Sequence, residues 1–144
     1  MARTLLDLAI SLERRVEKLD EEASKAAVQV ALTVLGDLVY VTPVDTSQAL
    51  SNWQVSLGEP ASDSIPPYYP GEQGSTQRAS AQAALNAARA VLRGKKPGDT
   101  IYLSNVLPYI RRLNDGYSAQ APAGFVERAA LLGRKQARKV KIKL

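Results

Sequence analysis

Apolar residues recur through the first forty positions in alternating steps of four and three: Leu5, Ala9, Leu12, Val16, Leu19, Ala23, Ala26 and Val30. That spacing predicts a helix with an apolar seam, close to the a/d stripe of a heptad repeat. No proline falls between Thr4 and Tyr40, and Gly36 is the only glycine there. The opposite face carries Arg14, Arg15, Glu17, Lys18, Glu21, Glu22 and Lys25. Glu21→Lys25 has the favourable acid-first order for an i,i+4 pair, and Lys18→Glu22 the weaker reverse. A helix of about 37 residues is ~55 Å long at 1.5 Å per residue. A compact domain of 144 residues is only about 35–40 Å across. The predicted helix therefore either breaks, near Gly36 or the acidic cluster Asp20–Glu22, and bends across one core, or it projects beyond its own domain and offers the seam to a partner.

The period changes at Thr42-Pro43, because a proline ring disfavours the helical conformation in the residue before it. Asp45 with Gln48 three residues on reads as a capping box for one or two helical turns through Leu50. Trp53, Val55 and Leu57 then alternate with Gln54 and Ser56, a strand closed by Gly58 with Trp53 as its anchor in the core. Residues 59–75 hold four of the eight prolines and read as a long irregular loop centred on Pro66-Pro67-Tyr68-Tyr69-Pro70, either a docking surface or a disordered excursion. Residues 76–93 read as a helix with Ala81, Ala84, Leu85, Ala88, Val91 and Leu92 on one stripe. Gly94 stops it, and Arg93, Lys95 and Lys96 complement its dipole. Ile101 and Leu103 alternate with Tyr102 and Ser104, a second strand.

Pro108 opens a short predicted helix carrying Tyr109, Ile110 and Leu113 and ended by Gly116, with Arg111-Arg112 as an exposed basic pair. A last helix starts with Phe125, Ala129 and Leu132. From Arg138 to Leu144 basic and apolar residues alternate, so Lys139, Lys141 and Lys143 share one face of a predicted strand suited to a sheet edge, its own or a neighbour's. The fold class expected is α+β, a long N-terminal helix and further helices packed on a small, mainly antiparallel sheet. It forms a single domain over 1–144: the helix over 1–40, an α+β core over 41–137, and a basic strand or tail over 138–144.

Composition narrows the chemistry. The chain has no cysteine and no histidine, which removes thiolate nucleophiles, Cys-ligated metal and the usual base near neutral pH. Asp20, Glu21 and Glu22 cluster beside basic residues as a solvated helix face does, and nothing in the spacing ties Asp37, Asp45 and Asp63 into a magnesium site. Gly94-Lys95-Lys96-Pro97-Gly98 has the composition of a phosphate loop without its spacing. The net charge of +5 is lopsided: residues 1–50 carry −3 and residues 101–144 carry +7. Such an end suits nucleic acid or the acidic face of a neighbouring subunit. A small nucleic-acid-binding protein using this C-terminal third is the alternative reading, with Tyr109 or Tyr117 stacking on bases. No run approaches eighteen uninterrupted apolar residues, so no membrane span or membrane partner is expected. Acidic residues from Asp7 onward interrupt any signal-peptide pattern, so synthesis and assembly in a cytoplasm are expected.

Two segments carry a family resemblance. The first is Thr42-Pro43-Val44-Asp45-Thr46 followed by Asn52-Trp53. The second runs through Ile101-Tyr102-Leu103-Ser104-Asn105, Pro108-Tyr109, Leu113-Asn114-Asp115-Gly116 and Ser118 to Val126, including Pro122, Gly124 and Phe125. Together they cover about a third of the chain, and they resemble the tail-completion (neck) proteins of tailed bacteriophages, the group that includes minor tail protein Z. Ser47 departs from the family, where many relatives have glycine, so the turn avoids positive φ there or is strained. The resemblance implies a structural virion protein without catalytic activity or cofactor, acting at the head–tail junction. It implies a homo-oligomeric ring of six subunits around the channel, meeting a tail terminator or tail tube protein on one side and head–tail connector proteins on the other, with non-specific DNA contact in the channel.

The residues themselves read as mostly structural. Asn105, Tyr109 and Asn114 border the turns around the short helix, and Pro122 and Gly124 lead into the last one. The candidate interfaces are the seam (Leu5, Leu12, Val16, Leu19), the loop tyrosines Tyr68 and Tyr69, the Arg111-Arg112 pair and the C-terminal lysines.

Overall fold

The computed structural model describes residues 4–121 and 123–141. Helix α1 spans Leu5–Val41 without a break. Thr4 caps it reciprocally: the Asp7 backbone N–H donates to Thr4 Oγ1 at 3.1 Å, and the Thr4 N–H donates to Asp7 Oδ2 at 3.2 Å. Pro43 ends the helix as expected. The Thr42 hydroxyl turns back to donate to the Leu38 carbonyl at 2.6 Å, beside the Thr42 backbone N–H that donates to the same oxygen at 3.0 Å. The remaining elements are α2 (Gln48–Ser51), β1 (Gln54–Leu57), α3 (Gln77–Leu92), β2 (Ile101–Ser104), α4 (Ile110–Asn114) and α5 (Phe125–Arg138). Strands β1 and β2 pair antiparallel, with Val55 opposite Leu103 and Ser56 opposite Tyr102. The architecture is α+β, a long helix and further helices on a two-stranded sheet.

The core forms where α3, the sheet and α5 meet the last third of α1. Leu35, Leu38 and Val39 of α1 pack with Leu50, Trp53, Val55, the Ala81/Ala84/Ala88 stripe of α3, and Phe125 and Ala129 of α5. Alanine and glycine set the spacing: a Cβ added to Gly133 of α5 would lie 2.5 Å from Val34 Cγ2. A β-branched valine cannot swing away cheaply from such an approach.

The bend across one core does not occur. Leu5 is 86% exposed, Leu12 51%, Val16 57% and Leu19 40%. The hydrogen bond that first ties α1 to the body comes at Ser24, whose Oγ accepts from Lys95 Nζ at 3.0 Å. Residues 4–22 thus stand clear of the domain as a helical arm of about 28 Å at 1.5 Å per residue.

Four local expectations are corrected. Asp45 does not cap α2, because Ser47 at the cap position is left-handed, with φ 69°. A side-chain N-cap needs extended backbone there. Asp45 Oδ1 instead accepts the Gln73 N–H at 2.7 Å. The strain foreseen at Ser47 is therefore real, and its hydroxyl lies 2.8 Å from Thr76 Oγ1. On α1 the ion pair formed is Glu22–Lys25, at 3.3 Å. Of the expected strand or tail from Arg138, the strand does not form over the described residues: α5 runs through Arg138, Lys139 is its C-terminal cap, and no strand follows through Lys141. Ala137 of α5 and Val140 just beyond it line an open groove with residues of α1 and β2, and the helical period runs through Arg138 in place of the period-two pattern. Lys143 and Pro122 lie outside the described residues. Finally, α1 is long and apolar enough by length and composition to cross a bilayer, although no run is uninterrupted. The half from Ala23 onward carries only Lys25 and Asp37 as charges, and it is the half that contributes Leu35, Leu38 and Val39 to the core.

Candidate functional site

The two segments of the motif meet in space. Pro43, Asp45 and Thr46 from the first, with Tyr109, Leu113 and Ser118 from the second, line one cleft of about 300 Å³. Gln120 closes the junction by reading the Val44 peptide like a strand partner. Its Oε1 accepts the Val44 N–H at 2.8 Å, and its Nε2 donates to the Val44 carbonyl at 2.9 Å. Asn105 does similar work at the end of β2, donating to the Ala49 carbonyl at 2.9 Å and accepting from the Leu107 N–H at 3.2 Å. Tyr109 stands just before α4 without a side-chain capping bond and is 41% exposed, and partial burial pushes its phenol up from the ordinary value. Tyr102 sits half-buried on β2, while Arg111 and Arg112 are exposed on α4.

Asn114 and Gly116 build the start of α5 from outside that helix. Gly124, the residue before α5, is left-handed at φ 83° and offers no side chain as a cap. Asn114 supplies it, with Oδ1 accepting the Val126 N–H at 2.9 Å and Nδ2 donating to the Glu127 carboxylate at 2.9 Å. Gly116 allows the turn between them: its φ is 93°, and an added Cβ would meet Ala123 Cβ at 3.2 Å. The Asn114 amide is the main cause holding the Glu127 carboxyl below its ordinary value, with the Glu127 backbone N–H second. Because the folded state favours the carboxylate, this contribution is complete above the ordinary carboxylate range and is lost as pH falls through the lowered folded value. Asn114→Ala is expected to return the Glu127 titration toward the ordinary carboxylate value and to cost about 1 kcal/mol as a lost cap. An NMR titration of the Glu127 side chain that does not move would reject this role.

The loop over 59–75 is stitched down by side chains that imitate backbone. Fully buried Asn52 accepts the Ile65 N–H through Oδ1 and donates to the Ile65 carbonyl through Nδ2, both at 2.8 Å. Ser51 Oγ accepts the Tyr68 N–H at 3.1 Å, and Ser80 Oγ both accepts from and donates to the Tyr69 backbone, at 3.0 and 3.1 Å. The loop is therefore an ordered surface that leaves Tyr68 and Tyr69 partly exposed, and burial raises the Tyr68 phenol above its ordinary value. Asn52, Ser80 and Gln120 are not among the site residues that the sequence pattern points to. For Ser80 the signal lay in the sequence, as a polar residue set on an alanine stripe. Gln120 has no local signal, since its partner is 76 positions away.

No protein-family model, curated protein or solved structure matches this chain.

The motif residues thus act mainly on the chain itself, through turns, caps and peptide-to-side-chain bonds. Asp37, Asp45 and Asp63 do not come together, and among the described residues no three acidic side chains gather to hold a metal ion. The surface left without partners is the arm of α1. Its seam residues Leu5, Leu12, Val16 and Leu19 are exposed apolar side chains repeating along one face, with Leu8 and Ile10 also more than 40% exposed. Large apolar residues exposed in a run of this length are uncommon on a protein surface.

Proposed function

We propose that this protein is a structural subunit of a tailed-phage head–tail junction. In this reading it assembles with copies of itself into a ring that completes the tail and joins it to the head connector. The observation that carries the proposal is the projecting apolar seam of α1. An arm of about 28 Å with four exposed seam residues lowers its free energy only by finding a partner, and association through it makes a multi-subunit particle. The resemblance in the two motif segments supplies the setting, with a tail terminator or tail tube protein on one face of the ring and connector proteins on the other. The packing roles of Asn105, Asn114, Gly116 and Phe125 agree with a motif that preserves a fold. Native mass spectrometry and particle images of the purified protein and of assembled tails test the reading. Rings are expected, six subunits in each. Monomers at every concentration, together with tails that lack the protein, would overturn it.

A further inference from the structure

We infer that the arm of α1 docks head to tail, in the apolar groove between α1, β2 and α5 of the next copy, rather than pairing with another arm. The inference rests on the proposed self-assembly and names the surface that completes it. The groove measures about 590 Å³ and is floored by small and branched side chains, among them Ala23, Ala27, Val30, Ile101, Leu103 and Ala137. Alanines leave hollows where the large seam residues Leu5, Leu12, Val16 and Leu19 supply knobs, so the two surfaces match in size.

The charges match as well. Residues 4–22 carry six acidic and three basic side chains, whereas residues 125–141 carry one acidic and six basic. Arg134, Arg138, Lys139 and Lys141 are exposed on the turns that carry Ala137 and Val140, and Lys95 and Asp99 stand at the groove's rim. Two arms laid together would instead bring like net charges to one interface.

The occupant must be a second copy. The arm and one wall of the groove belong to the same unbroken helix, and the chain has no glycine or proline between Thr4 and Leu35. The arm therefore cannot fold back onto its own groove. A seam that meets a different surface on its neighbour is a heterologous contact, which leaves one seam and one groove free and closes into a ring when the rotation allows.

The chain has no cysteine, so introduced thiols are the only ones that react. Leu12→Cys and Ala137→Cys change exposed positions. The two variants are mixed at a concentration where the wild type associates and treated with a short bismaleimide. The expected main product joins one Leu12→Cys chain to one Ala137→Cys chain, at least several-fold over either homodimer. A predominance of Leu12→Cys homodimer, or association without a product at either position, would overturn head-to-tail docking and leave self-assembly standing. Wild-type protein that never associates would instead sink the reading beneath it.

Discussion

Leu12→Asp is expected to abolish the proposed self-association while leaving a folded monomer that unfolds close to the wild-type temperature. Leu12 is half exposed on the arm, far along α1 from the core residues Leu35, Leu38 and Val39. In the monomer the substitution therefore costs little more than the difference in helix propensity, about 0.5 kcal/mol. In an interface built on the seam, the same carboxylate would replace a leucine and lose its water against apolar side chains, a penalty of about 3 kcal/mol or more. Association would weaken at least ~100-fold. Sedimentation velocity over a concentration series, beside thermal unfolding by circular dichroism, separates the two effects. Loss of the folded monomer would place Leu12 in the domain's own core, and unchanged association would remove the arm from the interface.

Trp53→Ala is expected to show the opposite signature, a large loss of stability in the monomer itself. Trp53 is buried at the junction of α2 and β1, and its indole N–H donates to Thr42 Oγ1 at 2.8 Å. The same hydroxyl donates to the Leu38 carbonyl, so one chain of bonds ties the end of α1 to the start of the sheet. Truncation removes the ring from a packed site and leaves a cavity, at about 3–5 kcal/mol. That is a large share of a typical domain stability of about 5–15 kcal/mol. Trp53→Phe keeps most of the packing and forgoes the indole bond, for about 1 kcal/mol beyond the change in ring size. Urea titrations followed by circular dichroism give both values, the chain's single tryptophan being the residue removed. A Trp53→Ala midpoint matching the wild type would show that the junction does not depend on this residue.

The two substitutions sit at the ends of one argument, since both change large apolar residues that local pattern treats alike. A stripe at steps of three and four says that a helix face is apolar, but it does not say what covers that face. The seam residues from Leu5 to Leu19 and the buried residues Leu35, Leu38 and Val39 belong to one helix, and only the second group lies in the core. The same limit explains Asp45. Its spacing to Gln48 is that of a capping box, yet the left-handed turn at Ser47 withdraws it and the Gln73 N–H, 28 positions on, takes its oxygen. At the C-terminus the alternation of basic with apolar residues predicts a strand, but α5 runs through Arg138, and Ala137 and Val140 line a groove shared with α1 and β2.

By itself the sequence determined the start of α1 and its stop at Pro43, the positions of α3, the two strands and the start of α5, and the core place of Trp53. Each of these rests on a period, a proline or a glycine acting over a few residues. Only the tertiary structure decided that α1 projects instead of bending, that the loop over 59–75 is ordered, and that Asn114 caps a helix it does not belong to. Those outcomes depend on the size of the body against the length of the helix, and on bonds such as Gln120 to Val44 between residues far apart in the chain. Spacing along a sequence carries no measure of either.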